Sequence, residues 1–186
     1  MATAPRKTST PARKTAAAKT PRAGARTDAI ALLRADHKRV SELFEQYESA
    51  RSAAKKKSLV DTICQELAVH AQVEEEIFYP AVKAALKDKE LVPEAQVEHQ
   101  SLKDLIAQVK GKEPDGEMFD AKITVMSEYV KHHVKEEQNE MFPRAKKTRL
   151  DMQQLGEQIA ARKQELMDDP SQLESPRTAV PAETFA

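Results

Sequence analysis

Four histidines recur at regular intervals along the middle of this 186-residue chain, and two of them are followed four positions later by a glutamate. Residues four apart share one face of a helix, so each His-x-x-x-Glu pair presents an imidazole and a carboxylate together. Such groups bind iron, manganese, zinc or copper, and the one cysteine excludes a cysteine-based zinc or iron–sulfur site. The pattern predicts a metal site with six ligands: His37, His70, Glu74, His99, His133 and Glu137.

An internal repeat places these residues in register. The apolar pattern that begins at His37 recurs from His99, at an offset of 62 residues. The pattern that begins at His70 recurs from His133 at an offset of 63, including an aromatic–proline pair after each glutamate. The two halves therefore look like copies of one helical hairpin related by a pseudo-two-fold axis.

Composition and periodicity predict the helices that carry the site. The chain has 4 Gly, 10 Pro and no Trp, and its apolar residues step by three and four. Five helices are expected: 28–50 with Thr27 as N-cap, 58–79 ended by Pro80 with a short extension toward 88, 93–111, 117–142 ended by Pro143, and 148–167. The sequence midpoint of His37 and His70 falls in the turn between the first two helices, and that of His99 and His133 falls in the turn between the next two. The two histidines of each pair should therefore lie at the same height along the bundle. We predict an all-α fold, an antiparallel up-down four-helix bundle with an extra C-terminal helix and disordered tails.

Basic and acidic residues are unevenly distributed along the chain. Residues 1–27 carry seven basic residues and no acid, which leaves a net charge of −7 on residues 28–186. We predict a disordered basic arm (1–27), a bundle domain (28–147), a C-terminal helix (148–169) and a disordered tail (170–186). Without a long apolar run or a secretory signal, and with one cysteine, the chain is expected to be cytoplasmic with no membrane partner.

A metal would explain why so many polar groups lie on core-facing positions. Burying an unpaired imidazole costs about 1–3 kcal/mol and burying a carboxylate costs more, against a typical domain stability of about 5–15 kcal/mol. A metal pair removes that penalty by taking the imidazole lone pairs and neutralising the carboxylates. A buried hydrogen-bonded network without metal remains the alternative.

These residues resemble the hemerythrin-like (HHE cation-binding) family through the motifs ADHKRV, HAQVEEEIFYP, EHQSL and HHVKEEQNEMFP, over roughly residues 28–147. The resemblance implies a cofactor of two iron ions, oxo- or hydroxo-bridged, on the six residues, with Mn or Zn as alternatives. It implies a non-haem di-iron protein that binds or reacts with O₂, peroxide or NO in sensing, storage or stress defence. The alternative is a di-iron enzyme for peroxide decomposition or iron–sulfur cluster repair; no dedicated catalytic residue is identified.

Some assignments near the motifs stay open. Oxygen-carrying hemerythrins place a second histidine where this chain has Lys103, which would lie in solvent or act as a cation near the site. His132 is an alternative to His133 as ligand, although the repeat favours His133. Four neighbours are expected outside the ligand set, on the surface, packed or solvated: Asp36, Glu98, Tyr129 and Glu140.

Two kinds of partner follow from the sequence. A small diatomic molecule or peroxide would bind the metal centre. The basic arm, residues 1–27, would contact nucleic acid through its phosphates without sequence preference, or serve as a solubilising tail. A DNA-associated protein tethered by this arm is therefore a third functional hypothesis.

Overall fold

The computed structural model describes residues 28–87 and 90–174, which are helical apart from short turns. Its elements are α1 (Ala29–Ser49), α2 (Ala53–Val73), a π-helical turn (Glu74–Phe78), α3 (Tyr79–Leu86), α4 (Leu91–Val109), α5 (Gly116–Glu136), a second π-helical turn (Glu137–Met141), α6 (Phe142–Lys146), α7 (Met152–Asp168) and a 3₁₀ turn (Pro170–Gln172). The all-α fold, with four bundle helices and a fifth helix after them, is confirmed. Residues 170–174, predicted to begin a disordered tail, are ordered, and the predictions for residues 1–27 and 175–186 lie outside the described residues.

Side-chain caps set where several helices begin. Asp28, Ser52 and Asp151 accept backbone N–H groups in the first turns of α1, α2 and α7. Capping satisfies amides that have no partner inside a helix, so it fixes the start more strongly than the apolar pattern. Consequently α2 begins earlier than predicted, and α7 begins later than the predicted start at Thr148.

Neither Pro80 nor Pro143 ends a helix, which corrects the sequence prediction. A π-helical turn precedes each proline. The backbone N–H of Tyr79 bonds to the carbonyl of Glu74, and that of Phe142 bonds to the carbonyl of Glu137, in each case five residues back. The wider turn accommodates a ring that would clash in a regular α-helix, and proline then occupies the first turn of the next α-helical segment. Both π turns begin at a glutamate of the predicted site.

The apolar core consists of two clusters with a polar layer between them. One cluster contains Val40, Leu67, Leu102 and Val130, and the other contains Leu33, Val73, Ala95 and Met141. Along each bundle helix, a buried histidine separates a residue of the first cluster from a residue of the second. The apolar stripes therefore fix the depth at which the histidines lie.

Helix α7 packs against α1, α2 and the first π turn. Its Ile159 and Leu166 are fully buried in the core cluster that also holds the start of α1. The segment after α7, residues 170–174, folds back onto α2, where the side chain of Gln72 bonds to the backbone of Gln172 and Glu174. The α1–α2 hairpin is thus covered on its outer face.

Candidate metal centre

The four predicted histidines are buried and face one another across the bundle. The Nε2 atoms of His37 and His70 lie 3.1 Å apart, and those of His99 and His133 are also 3.1 Å apart. Each pair joins two helices of one hairpin, as the repeat predicts. Four imidazole nitrogens therefore converge on the space between the two core clusters.

Glu74 and Glu137 connect the two histidine pairs. Glu74 Oε2 lies 3.3 Å from Nε2 of His70 and 3.4 Å from Nε2 of His99. Glu137 Oε2 lies 3.2 Å from Nε2 of His37 and 3.7 Å from Nε2 of His133. Each glutamate thus reaches one histidine of each hairpin, the position that a carboxylate shared by two metal ions would occupy.

The donor set fits a pair of metal ions. One group of ligand atoms comes from His37, His70, Glu74 and Glu137, and a second comes from Glu74, His99 and His133; within each group all atoms lie within 4.8 Å of one another. Glu74 Oε1 is buried without a hydrogen-bond partner. An unpartnered buried carboxylate oxygen is costly, and a cation beside it would remove that cost.

The outer nitrogen of each histidine faces a polar side chain of a neighbouring helix. Nδ1 of His99 lies 3.0 Å from a Glu75 oxygen, and Nδ1 of His37 lies 3.1 Å from the Gln138 amide nitrogen. Such contacts fix the ring orientation of a ligating histidine. Sequence reasoning missed Glu75 and Gln138, although each directly follows a predicted glutamate ligand.

Asp36 was predicted to lie on the surface but is buried, whereas Glu98, predicted likewise, is partly exposed and also contacts a histidine of the predicted site. Glu98 Oε2 is 2.7 Å from Nδ1 of His133, and Asp36 Oδ2 is 3.6 Å from Nδ1 of His70. A residue beside a ligand on its own helix points away from that ligand, but it points toward the adjacent helix of the hairpin. The repeat preserves this relationship in both halves.

Tyr79 is a second feature that the sequence reasoning missed. Its fully buried hydroxyl donates to Glu137 at 3.0 Å and lies 3.2 Å from both Glu74 Oε2 and His99 Nε2. Burial and the two carboxylates raise the pKa of the Tyr79 hydroxyl, which therefore stays protonated. The available signal was its place in the repeat, where the other half has Phe142.

The sequence profile described as the Hemerythrin HHE cation binding domain matches residues 28–145, well over half of the chain. The chain belongs to the hemerythrin HHE cation-binding family. It is also similar to the crystal structure of a hemerythrin HHE cation binding domain-containing protein from Mycobacterium kansasii, with a TM-score of 0.64 and 25% identity, covering 74% of this chain and 86% of that one. The family assignment makes the protein one with a cation-binding domain, and the predicted resemblance is confirmed.

A curated relative of this hemerythrin-family chain is a DNA nickase from Nostoc sp. (strain PCC 7120 / SAG 25.82 / UTEX 2576). The two are 27% identical over 111 residues, which is 60% of this chain and 31% of the nickase. The chain therefore spans about a third of that relative's length. The similarity concerns the shared segment, and the nicking activity is that of the whole relative.

Lys103 occupies the place of the additional histidine of oxygen-carrying hemerythrins and acts as a cation near the site. Its Nζ lies 2.7 Å from Glu75 Oε2, and the other oxygen of Glu75 contacts His99. Lys163 of α7 pairs with Asp36 in a comparable way, and Arg34 donates to the Gln138 side-chain oxygen. A lysine or arginine therefore binds three of the four side chains that face the outer histidine nitrogens, namely Glu75, Asp36 and Gln138.

The structure distinguishes His133 from His132, its alternative as ligand, and shows where the neighbouring Glu140 and Tyr129 lie. His133 is buried in the polar layer, whereas the side chain of His132 is 64% exposed. Glu140 is exposed as well. Tyr129, expected to be packed, is 49% exposed because it lies on the outer face of α5.

The two buried glutamates differ in protonation. Burial and the neighbouring Glu137 carboxylate raise the pKa of Glu74 well above its ordinary value. Burial acts in the same direction on Glu137, but a hydrogen bond with His37 and the charge of His133 lower its pKa to about 2. In the metal-free protein, one carboxylate therefore holds a proton while the other is ionised.

Three of the four histidines are neutral in the metal-free protein. Burial lowers the pKa of His37 to about 4 and lowers the pKa of His70 and of His99. Burial alone would also lower the pKa of His133, but its hydrogen bond with Glu98 raises it above the usual value. Neutral imidazoles offer lone pairs to a metal, so His133, with its raised pKa, is the imidazole at which a proton competes most with metal binding.

Within residues 28–87 and 90–174, no helix is long and apolar enough to cross a membrane. The cytoplasmic location predicted from the sequence stays a prediction.

Proposed function

We propose that this protein holds two iron ions on His37, His70, Glu74, His99, His133 and Glu137, and that the resulting centre binds or reacts with O₂, peroxide or NO. The observation that carries the proposal is the reach of each buried glutamate to one histidine of each pair. Two shared carboxylates and two imidazoles per ion would suit iron, and the lack of a thiolate among the six residues argues against softer sites.

The protein's own residues prepare this centre in three ways. Carboxylates and an amide facing the outer nitrogens hold the imidazoles with Nε2 pointing inward. The two apolar clusters exclude water above and below the polar layer. The Tyr79 hydroxyl holds a proton beside both glutamates, where it can donate to an anionic oxygen.

Bound iron would supply redox and Lewis-acid chemistry. Four protein ligands per ion leave one or two coordination positions, which a diatomic molecule or peroxide fits by size. A cavity of about 290 Å³ reaches His99 and His133 from the surface, so a small ligand has a route to that half of the centre. Sensing, storage or stress defence are roles consistent with a site that binds or reacts with such small ligands.

The proposal is tested by adding Fe²⁺ to metal-free protein without oxygen and then admitting O₂, peroxide or NO. We expect about two irons per chain and new near-ultraviolet or visible absorption after each ligand is added. Glu140→Gln is the matched control, since it removes an exposed carboxylate one helical turn from Glu137. Iron at background level, or spectra that none of the three ligands changes, would reject the proposal.

The enzymatic alternative is peroxide decomposition or repair of iron–sulfur clusters. It is distinguished by turnover: the iron-loaded protein would consume many equivalents of peroxide or reactivate a damaged cluster protein. Stoichiometric reaction that stops after one event per centre would favour binding or sensing instead.

A second candidate function, DNA association through residues 1–27, is supported by seven basic residues without an acid in that segment. Phosphate contacts of this kind weaken steeply as salt increases. Deleting residues 2–27 should remove salt-sensitive retention on double-stranded DNA while leaving the metal content unchanged. Equal retention by the full and shortened chains would reject the candidate. Nicking of supercoiled plasmid is the separate readout suggested by the nickase relative.

A further inference from the structure

The two hairpins differ in what covers their outer faces. On the α1–α2 hairpin, Lys163 of α7 pairs with Asp36, the carboxylate beside His70. The corresponding carboxylate on the α4–α5 hairpin is Glu98, and the face around it carries the exposed side chains of Val97 and Tyr129. The polar layer is therefore shielded by a helix on one side and approachable on the other.

Glu98 stands between the buried layer and a second group of potential ligands at the surface. One of its oxygens is 2.7 Å from Nδ1 of His133, and the other is 3.5 Å from Nε2 of His132. Nε2 of His132 is also 3.2 Å from a Glu136 oxygen. Ligand atoms of Glu98, His132 and Glu136 all lie within 4.8 Å of one another.

This surface group lies at the mouth of the cavity that reaches the buried histidines. Glu98 and His132 line the 290 Å³ cavity together with His99 and His133. The same two residues, with Glu94 and Glu136, line an adjoining cavity of about 400 Å³ that is more open to solvent. Imidazole and carboxylate side chains therefore line the whole path from the surface to His99 and His133 of the polar layer.

We propose that Glu98, His132 and Glu136 form a surface site for a divalent metal ion, from which the buried centre is loaded on its His99/His133 side. Three ligands from one imidazole and two carboxylates suit Fe²⁺, Mn²⁺, Zn²⁺ or Co²⁺. Exposure leaves the ion mostly hydrated, so binding there is weak and release is fast. The carboxylates also attract the cation toward the cavity mouth. The inference rests on the proposed function, because it supplies the buried centre with its metal.

The test measures how fast metal-free protein takes up Co²⁺, followed in a stopped-flow instrument by visible absorption. Two variants, His132→Gln and Glu136→Gln, each remove one surface ligand and leave the six buried residues intact. Glu117→Gln is the control, because it removes an exposed carboxylate from the far end of α5. We expect both surface variants to load several-fold more slowly than wild type and the control, and all four proteins to reach the same final Co²⁺ content.

Three results would overturn the proposal. Wild-type loading rates in both surface variants would show that the surface group does not feed the centre. Equal slowing in Glu117→Gln would show a general charge effect. A lower final content in His132→Gln would make His132 part of the centre itself. Failure of the proposed function looks different, since wild-type protein would then bind no Co²⁺ in the buried layer, and His70→Ala would leave the uptake unchanged.

Discussion

The Nε2 atoms of His37 and His70 lie 3.1 Å apart in the bundle interior, at a depth where apolar residues lie above and below them. When both rings are neutral, two imidazole nitrogens at that distance share one proton in a single hydrogen bond, one donating and the other accepting. The same relationship recurs in the other hairpin. A metal ion that displaced the shared proton would gain both nitrogens of the pair as ligands, and several consequences of that exchange can be measured.

Replacing either buried glutamate by glutamine should separate metal binding from stability. The pKa of Glu74 is raised, so its ionisation destabilises the folded metal-free protein as pH rises from the ordinary glutamate pKa toward the raised value. Glu74→Gln should therefore keep or increase the free energy of unfolding at pH 8, by up to about 2 kcal/mol, and abolish loading of both metals. Urea unfolding and metal analysis measure the two effects.

Glu137→Gln is the matched comparison. The pKa of Glu137 is lowered to about 2, so its ionised form stabilises the fold above the ordinary glutamate pKa and loses that effect as pH falls toward 2. This variant should lose about 1–3 kcal/mol at neutral pH. Equal stability changes in the two variants would show that the carboxylates are equivalent before metal binds.

Metal affinity should increase between pH 6 and pH 8. The pKa values of Glu74 and His133 are both raised, and both groups must give up a proton before they bind metal. Isothermal titration calorimetry in buffers of different ionisation enthalpy should therefore detect proton release on binding. Glu98→Gln replaces the charged acceptor that raises the pKa of His133 with a neutral amide and should reduce that release. Affinity independent of pH would contradict the protonation scheme.

The sequence predicted the six convergent residues because the repeat constrains depth. A stripe that steps by three and four fixes which face of a helix is buried, and matching offsets fix the height of each histidine. It did not predict Asp36 and Glu98 as histidine partners, because that requires the rotation of one helix relative to its neighbour. A pattern within one helix carries no information about that rotation.

The prolines show a second limit of sequence reasoning. Pro80 and Pro143 are strong signals for a helix end, yet both helices continue because a π-helical turn absorbs the proline ring. A π turn has no sequence signature comparable to a cap. Because the π turns start at Glu74 and Glu137, the residues after them face different directions than they would in a regular α-helix. This places the hydroxyl of Tyr79, five residues after Glu74, in the site.

Removing the hydroxyl of Tyr79 should weaken the fold and leave the ligands in place. Tyr79→Phe leaves the Glu74 and Glu137 carboxylates without their shared donor, which should cost about 1–3 kcal/mol in the metal-free protein. The phenyl ring should fit, since the repeat places Phe142 at the equivalent position. Chemical unfolding of metal-free and metal-loaded protein tests this. An unchanged free energy of unfolding in the metal-free state would show that the hydroxyl does not support the carboxylates.

The fifth helix should contribute to stability through its buried face. Ile159 is 1% exposed in the cluster that also contains Ile30 and Leu33. Ile159→Ala should lower the free energy of unfolding by about 2–5 kcal/mol, whereas Gln158→Ala on the exposed face should change it little. Thermal unfolding of both variants provides the comparison. Similar melting temperatures for the two variants would mean that α7 is not part of the folded unit.

Metal content of the purified protein tests the centre most directly. Wild type, His70→Ala and His133→Ala would be reconstituted with Fe²⁺ under the same anaerobic conditions, and bound iron would be counted by elemental analysis after desalting. We predict about two irons per chain for wild type and a loss of about one or more in each variant. His70 and His133 belong to different histidine pairs, so each variant reports on a different half of the centre. Equal iron content in all three proteins would contradict the account.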